Sequence, residues 1–249
     1  MNPATPVGAT AIEFRDVEFR VPNGPVILQN FNLVIQRCET LVLLGRSGSG
    51  KTTALRLINR LLEPSRGKIS VEGRATLEWN AVELRRRIGY VIQDAGLFPH
   101  YTVERNVALV PHLEKWPEEK VHARVIELLN LVGLDAAQFA HRYPHELSGG
   151  QRQRVGFARA LAADPPFLLM DEPFGALDPL TRNDMRKEFA TLQRQLSKTI
   201  AFVTHDVREA LQLGSRIALL ESGKLTGIYT PDEFQCATEP LVAAYMACK

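Results

Sequence analysis

The chain has 249 residues, 45% hydrophobic and 23% charged, with a formal net charge of +2. That length buries a full core in one large domain or one domain with a subdomain, and the near-neutral balance without a long basic run argues against nucleic acid as a partner. No apolar run approaches the ~18 residues of a membrane span, Met1 to Thr10 lack the basic start and apolar centre of a signal peptide, and Cys38, Cys236 and Cys248 lack metal-ligand spacing, as expected in a reducing cytoplasm.

Ala11 to Arg20 alternates apolar and polar residues, a half-buried strand, and Asn23-Gly24-Pro25 is a turn signal. Phe31 to Ile35 alternates again. Leu41 to Leu44 is continuously apolar, as in a buried parallel strand. Immediately after it, Gly45-Arg46-Ser47-Gly48-Ser49-Gly50-Lys51-Thr52 matches the phosphate-loop pattern G-x-x-x-x-G-K-[ST]. The glycines let backbone N–H groups curl toward a β-phosphate, Lys51 reaches the β- and γ-phosphates, and the Thr52 hydroxyl suits Mg²⁺. A helix is predicted from Thr53 to Arg60.

Lys68 to Val71 reads as a short strand, Val82 to Arg87 as a short helix and Gly89 to Ile92 as a buried strand that Gln93 ends. A glutamine at a strand's carboxyl end beside a phosphate loop suits Mg²⁺ or an attacking water; the plain alternative is a loop amide. Leu97-Phe98-Pro99-His100-Tyr101 is an aromatic stretch suited either to a partner or to packing under the next helix. Thr102 to Leu109, Pro117 to Val132 and Ala136 to Arg142 carry helical periodicity, forming a helical insertion between two halves of a parallel sheet.

The insertion ends at Leu147-Ser148-Gly149-Gly150-Gln151. Ser148 is an N-cap type with Gln151 at the third helical position, the capping-box pattern, ahead of a helix read from Val155 to Ala162. Such a helix start offers N–H groups, a hydroxyl and a positive dipole end to an anionic oxygen, without a lysine. Phe167 to Met170 is a buried strand closed by Asp171-Glu172 at the sheet's carboxyl edge, where ligands bind in doubly wound folds. Asp171 suits Mg²⁺ through water, and Glu172 suits a general base on the attacking water. Asp178-Pro179 reads as N-cap and first-turn proline of a helix to Leu196. Thr199 to Thr204 is a strand with His205 directly after it, a position suited to a γ-phosphate donor; His100, His112, His122, His141 and His145 read as surface. Arg216 to Leu220 and Leu225 to Tyr229 are closing strands, and Thr230-Pro231-Asp232-Glu233 is a capping box opening the last helix.

These motifs, in this order, resemble the ATPase subunits of ABC transporters over about residues 11–245. The resemblance implies an α/β phosphate-loop fold: a RecA-like core with a mostly parallel mixed sheet (11–93 and 160–229), an N-terminal antiparallel β subdomain, a helical subdomain (94–159) carrying Ser148, and a helical tail (230–249). It implies ATP and Mg²⁺ as ligands. Two subunits, a second copy or a sister ATPase, would dimerise head to tail, with each ATP between Gly45 to Thr53 of one and Ser148, Gly149, Gly150 and Gln151 of the other. Asp178 would line the seam. Glu172, His205 and Gln93 would serve hydrolysis, and Thr52, Gln93 and Asp171 the metal. Gln93 and the Phe98-Pro99 region would couple the site to permease subunits at the cytoplasmic face of the inner membrane, with a solute-binding protein as an indirect partner and no nucleic acid. Tyr90 to Gln93, Leu97 to Tyr101, Asn106 to Trp116, Arg142 to Pro144 and Asp171 to Thr181 are similar to importers of quaternary amines such as glycine betaine, choline or carnitine. Sulfonate and nitrate importers share the Asp171 to Asp178 run, and soluble ABC proteins are a remoter alternative.

The sequence departs from that family at three points. Val21 stands where an aromatic usually stacks on adenine, with Phe19 two residues earlier. Cys38 replaces the usual glycine before Glu39, a strain if the turn needs φ > 0. A C-terminal regulatory module, common among osmoprotectant ATPases, is not expected in a chain that ends at Lys249.

Overall fold

The computed structural model describes residues 9–247; the expectations for Met1 to Gly8 and for Cys248 lie outside them. Within these limits the chain forms two compact units, one of residues 9–85 with 197–247 and the other Arg86–Leu196.

The first unit opens with β1 (Thr10–Arg20) and β2 (Val26–Gln36), an antiparallel pair. The apolar period of β1 breaks after Phe14. Phe14 faces Leu33 but Val17 faces Phe31, so β1 carries an extra residue, and Asp16 takes φ 49 there while its N–H donates to Asn32 Oδ1 at 2.8 Å. The bulge keeps Val17 fully buried after the alternation has slipped. β3 (Thr40–Gly45) is buried at every position and leads through a loop into α1 (Lys51–Ile58). β4 (Arg66–Val71) and β5 (Arg74–Ala75) complete an antiparallel sheet in the order β2-β1-β4-β5, and α2 (Ala81–Arg86) follows.

The second unit runs through β6 (Ile88–Val91), α3 (Val103–Leu113), α4 (Glu118–Leu131), α5 (Ala136–Phe139), α6 (Gly149–Leu161), β7 (Phe167–Asp171) and α7 (Pro179–Leu196). β6 and β7 are parallel. Phe157, Phe174 and Phe189 meet with ring centroids 5.4–6.2 Å apart, fixing α6 to α7 and to the segment before it. Asn106 of α3 is fully buried; its side chain accepts the Phe98 N–H at 2.8 Å and donates to the carbonyls of Phe98, Tyr101 and Thr102.

The chain returns to the first unit with β8 (Thr199–Thr204), α8 (Val207–Leu213), β9 (Arg216–Glu221), β10 (Lys224–Tyr229), α9 (Pro231–Cys236) and α10 (Pro240–Met246). β3 lies between β8 and β9 with both neighbours parallel, and β10 is antiparallel to β9. This is the mixed, largely parallel sheet with a separate antiparallel sheet that the sequence predicts. α6 begins at Gly149, directly after its N-cap Ser148, as the capping-box pattern predicts. Two helices were not predicted: α10, which follows the helix expected to be last, and α8, because Val207 to Leu213 spans under two helical turns.

Candidate functional site

In the first unit, β3 delivers the chain into the glycine loop. Gly50 is the N-cap of α1 at φ 100, a left-handed position that favours glycine, and a Cβ there would also press on Leu28 Cδ2 at 2.7 Å. No side chain caps α1, which leaves its first turn to an anion. Lys51 is only 4% exposed, and its ammonium donates to the carbonyls of Gly45 at 2.8 Å and Arg46 at 2.9 Å. The charge is thereby held over the loop. Arg46, Ser47 and Gly48 are exposed, Ser49 is buried, and Thr52 and Thr53 are half-buried on the first turn. β8 pairs Thr204 with Leu44, so His205, exposed, comes level with Gly45. Val21 is exposed at the start of the turn that its backbone makes with Gly24 and Pro25, whereas Phe19 is half-buried opposite Leu28.

In the second unit, the β6–β7 register sets Val91 against Met170, so Gln93 comes level with Glu172. The side-chain ends of both lie 3.6 Å from where a Gly175 Cβ would sit. Asp171 is buried and accepts a hydrogen bond from the Tyr90 hydroxyl at 3.3 Å. Glu172 has φ 46, an uncommon left-handed position for a non-glycine, and accepts the Gly175 N–H on its carbonyl at 3.0 Å. The loop after Gln93 is fixed to α6: Arg159 donates to the carbonyls of Ala95 and Gly96, both at 2.6 Å, and Gly156 lets Ala95 approach closely. Burial with only carbonyl acceptors pushes the Arg159 pKa down.

At the other end of α6 the capping box is complete. Ser148 Oγ accepts the Gln151 N–H at 3.2 Å, and Gln151 Oε1 accepts the Ser148 N–H at 2.9 Å. The Ser148 hydroxyl proton stays available to an acceptor. Ser148 and Gly149 are exposed, while a Cβ on Gly150 would meet Thr181 Cγ2 at 2.7 Å. Asp178 begins α7: the Thr181 hydroxyl and the Thr181 and Leu180 amides hold its carboxyl below the usual range.

The family model for ABC transporters matches residues 28–175. This chain belongs to the ABC transporter family. It is 54% identical over 210 residues, 84% of its length, to the glycine betaine/carnitine/choline transport ATP-binding protein OpuCA of Bacillus subtilis, of which that match covers 55%. The chain spans about half the length of the curated relatives it matches. Among solved structures, cbiO1 of Clostridium perfringens, part of the ABC transporter complex cbiONQ, superposes with a TM-score of 0.84 at 27% identity, over 96% of this chain and 95% of that one. The dimeric bacterial ABC transporter cassette MJ0796 gives 0.77 at 35% identity, over 88% and 98%.

The second unit of this ABC chain also holds site neighbours whose contacts the sequence reading passed over. The Tyr90 hydroxyl on Asp171 was signalled only by a polar atom inside an otherwise apolar strand. Arg159 and Asn106 sit in helices where neither periodicity nor charge distinguishes an inward donor from a surface one. Among the described residues, no helix is long and apolar enough to cross a membrane.

Proposed function

We propose that this chain is the ATP-hydrolysing subunit of an importer of a quaternary amine such as glycine betaine, choline or carnitine. What supports this most is the pair of glycine-rich helix starts, one with a buried lysine and no side-chain cap, the other capped by Ser148 and without a lysine. The second is half of a phosphate site, and a second copy of the chain or a sister ATPase supplies the other half. The similarity to a dimeric cassette and to a betaine, carnitine and choline transport ATP-binding protein supports the same reading. ATP then lies between Gly45 to Thr53 of one subunit and Ser148 to Gln151 of its partner, with Val21 toward adenine and Asp178 at the seam. Glu172 takes a proton from the attacking water, Gln93 orients that water, and His205 donates to the γ-phosphate.

The residues present suit Mg²⁺. Thr52 offers a hydroxyl on the first turn, Gln93 an exposed amide oxygen, and Asp171 a buried carboxylate oriented by Tyr90. When bound, the ion would neutralise charge on the β- and γ-phosphate oxygens. The aromatic stretch around Phe98, fixed by Asn106, meets the permease, which holds the subunit peripherally at the cytoplasmic face of the inner membrane and receives solute from a binding protein.

The test pairs two measurements. Purified chain should bind and hydrolyse Mg-ATP, with Lys51→Ala abolishing productive binding because the charge on the β- and γ-phosphates is lost. Cells lacking the gene should lose uptake of labelled glycine betaine, choline or carnitine. Normal ATPase activity in Lys51→Ala would overturn the site, and unchanged uptake of all three solutes would overturn the substrate class.

A further inference from the structure

Helix α8 already has its cap: the Asp206 carboxylate accepts the Arg208 N–H at 2.8 Å. It has no need of a second acid for its dipole, yet Glu209 follows in the first turn and is 3% exposed. A carboxylate taken out of water is unfavourable unless hydrogen bonds replace its hydration. Here the replacement is specific. Thr204, the buried last residue of β8, donates its hydroxyl to Glu209 Oε2 at 2.5 Å, and the same hydroxyl oxygen accepts the Asp206 N–H at 3.0 Å. The carboxylate can only accept, so it dictates the direction of both bonds: the Thr204 proton points to Glu209 and the lone pair to Asp206. The residues before and after His205 are thus tied together through the Thr204 hydroxyl, which Glu209 holds. Between them the imidazole stands exposed, level with Gly45.

We propose that Glu209 is a positioning residue for His205, fixing the strand-end turn so that the imidazole is presented to the γ-phosphate at one angle. The inference rests on the reading above in which His205 donates to that phosphate. Its consequence is a division of labour in the histidine turn, with His205 touching substrate and Glu209 acting only through it. Glutamine at 209 keeps an oxygen that can accept from Thr204; alanine keeps none, and valine at 204 removes the hydroxyl from the other side.

The experiment measures kcat and KM for ATP, nucleotide affinity and melting temperature on the full chain. Glu209→Ala and Thr204→Val should each lower kcat ~10-fold while ATP affinity stays within about twofold, the split expected when orientation rather than binding is lost. Glu209→Gln should recover most of the rate. Added to His205→Ala, Glu209→Ala should lower kcat no further, because the group it orients is already gone. An undiminished loss in the His205→Ala background would show a merely structural acid and overturn the proposal. Should Glu209→Ala fail to fold, the same cycle run with Thr204→Val decides it. Wild-type turnover in His205→Ala itself would instead overturn the reading of His205, and this inference with it.

Discussion

Helices α1 and α6 both begin at glycine-rich loops, and their first turns are finished differently. α1 starts at Gly50 with no side-chain cap and a lysine held over the loop; α6 starts at Ser148 with its cap bonds satisfied within the chain. The first turn is incomplete without an anion, and its buried ammonium, resting on two carbonyls, is ready to move to a stronger acceptor. The second is stable as it stands and offers a hydroxyl proton and backbone N–H groups. A helix start that needs a ligand binds it, while one that merely tolerates a ligand can report whether it has arrived. That difference is the physical basis of the proposal that one subunit binds ATP and another senses it.

The largest expected effect separates binding from hydrolysis. Glu172→Gln removes the base without touching either helix start, so turnover should slow by ~10²-fold or more while ATP binding persists. The uncleaved nucleotide should then hold two chains together, as sizing in Mg-ATP would show; a monomer at saturating nucleotide would overturn the shared site. Next comes a contrast within α6. Gly150→Ala forces a Cβ against Thr181 and Gly149→Ala meets only ordinary contacts, at 3.8 Å and beyond, so the first should impair hydrolysis far more than the second. Neither should alter ATP affinity for the same chain's loop, measured with a fluorescent analogue.

A smaller effect belongs to the loop side alone. Val21 is exposed, and Val21→Tyr should tighten ATP binding about two- to tenfold through stacking worth roughly 0.5–1.5 kcal/mol. If Phe19 has taken over the stacking instead, Phe19→Ala weakens binding beyond its stability loss and Val21→Tyr does nothing. The smallest effect touches neither helix start. Cys38 has φ 57 and sits between hydrogen bonds to Thr199 and Ser197, so Cys38→Gly should raise stability by about 1 kcal/mol, seen as a higher melting temperature with unchanged ATP affinity.

The strain at Cys38 was expected from the resemblance, because a cysteine where glycine is usual has a fixed steric meaning if the turn needs φ > 0, and φ is 57. Gly45 to Thr52 and the Ser148 capping box were legible without it, because residue type and spacing determine local geometry. What the sequence could not carry was direction. Whether Glu209 turns inward or outward, or whether Arg159 reaches the loop after Gln93, depends on neighbours distant in sequence. β1 shows the intermediate case: alternation predicted the strand, but the bulge at Asp16 shifted its phase, leaving Phe19 half-buried.

In the proposed dimer the phosphate loop and the Ser148 turn that complete one site belong to different chains, and mixing two inactive variants tests this. Lys51→Ala lacks a working loop, and Ser148→Arg lacks a working partner face while still binding ATP. Each mixed dimer then holds one site with both defects and one intact site. An equal mixture, with half of its dimers mixed, should regain about a quarter of the wild-type ATPase rate. No recovery at any mixing ratio, with ATP binding to the Ser148→Arg chain intact, would contradict the account.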